Sequence, residues 1–214
     1  MDIEVSFYGS LDAIALPSVL STIRGLCGVS ETPFSMLEQI LRAKHTVNQA
    51  ALQECRLQCL LKDGEVADCL LCCESVDPLN TQAAQQRSVQ CLQARRVTRV
   101  KVGSNAGFFL EKGLGFDVAF EVLREGYMFV DGHATLLFFQ LLSGADATSG
   151  AATAPKAIVE NVWIVQVLLH GNELSQLLID ADKWADTLQA HSIALQAHPA
   201  ARRVQTPVSG FRLK

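Results

Sequence analysis

Hydrophobic and polar residues alternate with a period of two in several stretches of this chain and with a period near 3.6 in others. The strictest alternation opens the region 116–142, where Phe116, Val118, Phe120 and Val122 recur at every second position. That period belongs to a pleated strand with one buried face. Segment 173–190 differs: Leu174, Leu177, Leu178, Ala181, Trp184, Ala185 and Leu188 line one stripe of a helix. Together the two patterns predict a sheet wrapped around a core and covered by helices.

The rest of the chain extends this picture. Residues 3–8 alternate as a strand, and Gly9-Ser10 turns the chain. Pro17 suits a first helical turn, Val19, Leu20, Ile23, Leu26 and Cys27 form its stripe, and Gly28 supplies a left-handed stop. Segment 36–43 is a second strand. Segments 51–61 and 66–73 form a hairpin around Asp63-Gly64, whose two central positions accept positive φ. Such a turn places Leu57 opposite Leu70 and Cys55 opposite Cys72. A polar loop follows at 77–86, then a strand at 88–102. Val89, Cys91, Val97 and Val100 do not keep one parity there, which predicts a bulge. Ser104 caps a helix over 105–112, anchored by Phe108 and Phe109 and ended by Gly113.

Strands 116–124, 127–131 and 133–142 come next, divided by Gly126 and Gly132. Residues 143–155 carry no large apolar side chain, so 143–157 is expected to be a flexible loop. The last long strand is 158–169, and Asn172 caps the closing helix. Residues 199–214 form a loose tail. This order predicts an α+β, mainly β fold: one antiparallel β-barrel domain over 1–198, with about eight or more strands. Helices near 17–27, 104–113 and 173–190 flank it. Closure into a barrel removes the exposed edges of the sheet.

Composition narrows the function. The chain has 214 residues, 49% hydrophobic and 19% charged, enough to build a large core. The net charge of -4 argues against nucleic-acid binding. The densest basic cluster, Arg95, Arg96, Arg99 and Lys101, reads as a solvated strand edge. The N-terminal residues lack the pattern of a signal peptide, and the densest apolar run, 134–142, is too short to span a bilayer. Seven cysteines without a secretion signal predict reduced thiols in the cytosol or nucleus.

Candidate chemistry is sparse. Cys55-x3-Cys59 and Cys69-x2-Cys72 count like a zinc quartet, but Cys69 and Cys72 point to opposite faces of a strand. The histidines at 45, 133, 170, 191 and 198 have no nucleophile partner and read as surface or boundary residues. Gly113-Leu-Gly115 follows a helix and precedes a strand, the reverse of a dinucleotide loop. Asp2-x-Glu4 resembles the alternating carboxylates of tunnel-shaped triphosphatases, but the next position is Ser6. Asp68 is an isolated inward candidate. The barrel interior is therefore expected to be apolar and packed, with its exterior as the working surface. The chain offers no catalytic, cofactor-binding or metal residue, and no cofactor is expected. Segment 165–169 is apolar on both faces except at Gln166, which predicts cover by a helix or a partner.

Two segments carry a family resemblance. Leu20–Gly28 (LSTIRGLCG) resembles the end of the first helix in the Mediator complex subunit 18 family of the head module. Gly113–Phe129 (GLGFDVAFEVLREGYMF) resembles that family's stretch between its second helix and the next strand pair. The order of elements agrees over about residues 3–195. The resemblance implies a multistranded barrel that pairs with Mediator subunit 20 and captures a C-terminal helix of subunit 8. It implies a non-catalytic coactivator in the nucleus, reaching RNA polymerase II through the head module, with no direct nucleic-acid or membrane contact. It assigns no partner-contact residues. The alternative is a tunnel-barrel triphosphatase-like enzyme or a phosphate-binding protein.

Overall fold

A computed structural model describes residues 2–44, 54–75, 92–142, 157–191 and 193–196. The elements run β1 (Asp2–Asp12), α1 (Leu16–Cys27), β2 (Thr32–Ala43), β3 (Glu54–Lys62), β4 (Glu65–Ser75), β5 (Gln93–Val102), α2 (Ala106–Gly113), β6 (Phe116–Asp131), β7 (Ala134–Leu142), β8 (Val162–Gly171), α3 (Leu174–Ala190) and β9 (Ala194–Gln196). Antiparallel neighbours follow the order β5-β4-β3-β2-β6-β7-β8-β1, and β1 pairs back with β5 to close the ring. One edge of β1 is shared: Asp2–Ser6 pair with β5, and Tyr8–Ser10 pair with β9. The antiparallel, mainly β class and the three flanking helices are as the periodicities predict.

Two glycines serve strands where the sequence suggests turns. Gly9 lies inside β1, where a Cβ would stand 2.7 Å from Ile193 Cγ2. Gly126 lies inside the continuous 16-residue β6, where a Cβ would stand 1.9 Å from the Phe138 carbonyl oxygen. Both permit close approach rather than reversal. Gly132, with φ 57, does turn the chain between β6 and β7. The Asp63-Gly64 turn also forms, with φ of 54 and 82. A bulge between Leu60 and Leu61 then shifts the register by one. Leu57 therefore faces Leu71 and Cys55 faces Cys73, not the partners a regular ladder predicts.

The helices lie outside the ring over two separate apolar cores. α1 and α3 cover the outer face of β1, β7 and β8, where Val5, Phe7, Leu136, Phe138, Val167 and Leu169 are buried. The closing helix buries Leu177, Leu178, Ala181, Ala185 and Leu188, the stripe its sequence predicts. α2 covers β2, β3 and β4, with Leu110 against Leu41, Leu57, Cys59 and Cys69. Phe108 and Phe109 do not anchor it; they stand 71% and 60% exposed. The N-cap positions fall one residue later than the sequence suggests, on Asn105 for α2 and Glu173 for α3. α1 matches its prediction, with Pro17 in the first turn and Gly28 at φ 67 as its stop.

The alternation at 116–122 does not mark one buried face. Pairing with β2 slips at Ile40/Leu41, so Phe120 opposes Ile40 while Val118 opposes Leu41. Directly paired residues share a face. Phe116 and Val118 thus lie outward beside Leu41, and Phe120 and Val122 inward; Val122 is buried, but Phe120 is 51% exposed. β8 begins at Val162, four residues later than its pattern predicts. β9 is a strand the sequence does not announce. The loop at 77–86, Val89, Cys91, the 143–155 spacer and the 199–214 tail lie outside the described residues.

Candidate functional site

The expected greasy interior is not what the ring encloses. A cavity of about 240 Å³ occupies the bore and is lined by residues from all eight strands of the ring. Its walls include Met36, Leu70, Val97 and Leu137, but charged side chains belt it. The apolar cores sit outside the sheet, under the helices, and the polar groups sit inside.

Strand parity explains the belt. On β1, Glu4 and Tyr8 alternate with Val5 and Phe7; the odd positions join the outer core, so the even ones face the bore. Glu4 lies directly opposite Arg95 of β5 and His170 of β8. The Arg95 Nε donates to Glu4 Oε1 at 2.6 Å, and the Arg99 guanidinium donates to Glu4 Oε2. His170 Nδ1 lies 3.2 Å from Arg99 Nη2 and 3.7 Å from Glu4 Oε2. Burial pushes the Glu4 carboxyl upward, but Arg95 and Arg99 outweigh it and hold it below the ordinary carboxylate value. Burial, then Arg99, push His170 downward, which favours the neutral ring.

A second cluster forms around Glu38 of β2, only 2% exposed. Gln58 Nε2 donates to its Oε1 at 3.0 Å, Arg56 Nη1 lies 3.4 Å from the same oxygen, and Arg124 donates to Oε2. Arg124 also reaches Gln166 Oε1 at 3.3 Å and lies 4.9 Å over the Phe139 ring. Gln166 Nε2 donates to the Tyr8 hydroxyl at 2.7 Å. Burial is the main cause of the raised Tyr8 pKa, opposed by Arg124, Arg56 and Arg95.

These placements revise several sequence expectations. Arg95 and Arg99 are not a solvated edge; every second residue of β5 turns inward, while Arg96 between them is exposed. His170 is a bore residue rather than a surface one. His133 is half exposed and lies 3.1 Å from Asp180. Asp68 is exposed and paired with Lys101 at 2.5 Å. Cys69 and Cys72 do point to opposite faces, Cys69 into the outer core and Cys72 into the bore. Cys59 and Cys69 are not reduced thiols here. Their direct opposition across β3 and β4 joins them as a disulfide. Among the described residues no three His, Cys, Asp or Glu side chains converge as metal ligands.

Glu38, Arg56 and Arg124 were not singled out by their sequence context. Each follows an apolar residue in its strand, and only the assembled ring shows that they share an interior. Gln166 carried a signal, as the lone polar residue in an otherwise apolar run.

Ring closure, exterior helices and a charged bore define a tunnel-type antiparallel β-barrel. Residues 79–186 match the family described as Med18 protein. The chain belongs to that family, a family of Mediator subunits. A chain in the Mediator head module of Schizosaccharomyces pombe has the same fold, with a TM-score of 0.68, 16% identity, and coverage of 92% of this chain and 98% of that one. The PH1819 protein of Pyrococcus horikoshii aligns at a TM-score of 0.59 and 13% identity, covering 94% and 97%. A putative adenylate cyclase of Vibrio parahaemolyticus aligns at 0.60 and 7%, covering 95% and 98%. At these identities the likenesses speak for the fold alone. No curated protein matches the sequence.

Proposed function

We propose that this Med18-family chain is a non-catalytic subunit of the Mediator head module, a nuclear coactivator in RNA polymerase II transcription. The family match over residues 79–186 carries this reading. The partners proposed from the resemblance are Mediator subunit 20 and the C-terminal helix of subunit 8. The exterior supports a docking role: Phe108, Phe109 and Leu114 stand 71%, 60% and 56% exposed within a seven-residue stretch. Such apolar exposure favours cover by another protein.

The charged bore is the one observation that favours the triphosphatase-like alternative. A metal-dependent triphosphatase needs carboxylates free to hold its metal. Glu4 and Glu38 are both engaged by arginines. Co-expression with subunits 8 and 20, followed by size-exclusion chromatography, tests the proposal. A stable heterotrimer is expected. If neither subunit co-elutes, the assignment loses its support; robust triphosphatase activity with magnesium or manganese, abolished in Glu4→Ala, reverses the ranking.

A further inference from the structure

The β3–β4 hairpin carries two cysteine pairs on its outward face. Cys55 lies directly opposite Cys73, and Cys59 directly opposite Cys69, with Leu57 and Leu71 between the two pairs. The Cα atoms of Cys59 and Cys69 are 4.2 Å apart, the spacing of a non-hydrogen-bonded antiparallel pair, in which side chains stand closest. Pair types alternate along such a ladder, so Cys55 and Cys73, four residues away, face each other in the same way. Yet Cys59 and Cys69 are joined, while Cys55 and Cys73 are thiols. Burial raises the Cys73 pKa, which keeps that sulfur protonated and slow to attack.

The joined pair lies under a lightly held cover. Cys59 and Cys69 are 6% and 2% exposed and share a core with Leu110. Leu110 is the one buried residue of the eight-residue α2, and the N-cap Asn105 makes no side-chain capping bond. Gly107 rests on the hairpin between the cysteine pairs, where a Cβ would stand 3.4 Å from Leu57 Cδ2. A helix with so few buried contacts opens locally, and a small thiol reaches the bond only when it does. The bond acts on α2 in return. A covalent bond holds two sulfurs closer than any non-bonded contact allows. Once it is broken, the two thiols need more room in a packed core whose cover is α2.

We propose that Cys59–Cys69 is a reversible redox site, opened by exchange with a glutathione-type monothiol, and that α2 is the lid that admits the thiol and loosens once the bond is broken. An incoming thiolate bonds to one sulfur; the S–S bond breaks, and its electron pair leaves on the other cysteine, which takes a proton. A second thiolate attacks the sulfur of the first in the mixed disulfide and releases the remaining cysteine, which is protonated in turn. The two cysteines are reduced, and the two small thiols become one disulfide. The nuclear location proposed above is a reducing compartment, where a disulfide is transient or redox-sensing rather than permanent. That setting alone rests on the Mediator reading. The exchange is a property of the chain itself, so either can fail alone.

The test uses the full-length chain without partners, equilibrated in buffers of oxidised and reduced glutathione, alkylated, and mapped by peptide mass spectrometry. A bridged Cys59–Cys69 peptide should form in oxidised glutathione, disappear in reduced glutathione without denaturant, and return on reoxidation. Hydrogen exchange gives a second readout. The amides of residues 110–113 in α2 should exchange about tenfold faster in the reduced chain, while those of 177–188 in α3 keep their rates. The variant C59A/C69A should show one α2 exchange rate in both buffers. The unmutated chain carries both readouts, so they decide the matter even if that variant fails to fold. The proposal is overturned if no bridged peptide forms at any glutathione ratio, or if the bridge joins Cys55 to Cys73 instead. It is equally overturned by a bridge that only denaturant releases, by α2 exchange that is the same in both states, or by a redox response that persists in C59A/C69A.

Discussion

Replacing Glu38 by methionine tests whether the interior charges are structural. Glu38 is 2% exposed and answers Arg124 and Arg56, whose side chains are 12% and 17% exposed. Methionine keeps most of the volume and removes the charge, leaving two guanidiniums facing each other. Removing one partner of a buried ion pair costs about 3–5 kcal/mol, because the remaining charge is uncompensated. For a protein of this size that lowers the melting temperature by roughly 6–20 °C. The double variant Glu38→Met with Arg124→Met removes one of the two guanidiniums that faced Glu38 and should recover part of the loss. Urea denaturation of the three proteins, in buffer free of phosphate, completes the cycle. A single variant within about 1 kcal/mol of the parent would mean that the bore is wet enough to screen its charges. A double variant less stable than the single would mean that Arg124 stabilises by packing on Phe139 rather than by its charge.

Three further outcomes follow from particular contacts. Leu110→Ala should destabilise by about 2–5 kcal/mol, because it opens a cavity in the core under α2; Phe108→Ser, on the exposed side of the same helix, should leave the denaturation midpoint nearly unchanged and weaken co-elution with partner subunits. Gly126→Ala drives a Cβ into the Phe138 carbonyl, so β6 and β7 must separate locally; soluble expression and circular dichroism should show a loss of several kcal/mol, at the upper end of single substitutions. Stability should fall with acid in two steps. His170 has a folded pKa below its ordinary 6.5, so its contribution is lost as pH drops below 6.5 toward the folded value. Glu4, held below 4.5, adds a second loss below pH 4.5 that is complete under its folded pKa. Melting temperature against pH checks both, and His170→Gln should remove the first step alone.

Element type was legible in this chain, and the direction in which strands face was not. The stripe Leu177–Leu188 fixed α3, and Pro17 with Gly28 bracketed α1, because those signals are local. Strand parity alone does not say which parity faces the axis of a barrel. That choice depends on where helices settle, and here they settle on Val5, Phe7, Leu57 and Cys59. Once the outer faces are taken by helices, Glu4, Glu38, Arg56, Arg95 and Arg124 have only the bore left. The two bulges compounded the difficulty, since each exchanges the faces of all residues beyond it. Gly9 and Gly126 misled for a related reason: a turn glycine and a contact glycine look alike until the neighbouring strand is known.

The arrangement bears on how a barrel of this kind docks other proteins. If the apolar residues filled the bore, the outer wall would be polar and the helices would need another reason to bind it. Here the sheet is apolar outward at two places, each served by helices of the same chain. The inner belt ties neighbouring strands together from within: Glu4 links β1 to β5, where the ring closes, and Glu38 links β2 to β3 and β6. Charge-assisted bonds between adjoining strands on the inner face restrict the ring's shape. A ring held from within can present exterior residues such as Phe108 and Phe109 without using them for its own stability. Under the proposed docking role, the interior charges hold the barrel and leave the exterior aromatics free to meet a partner.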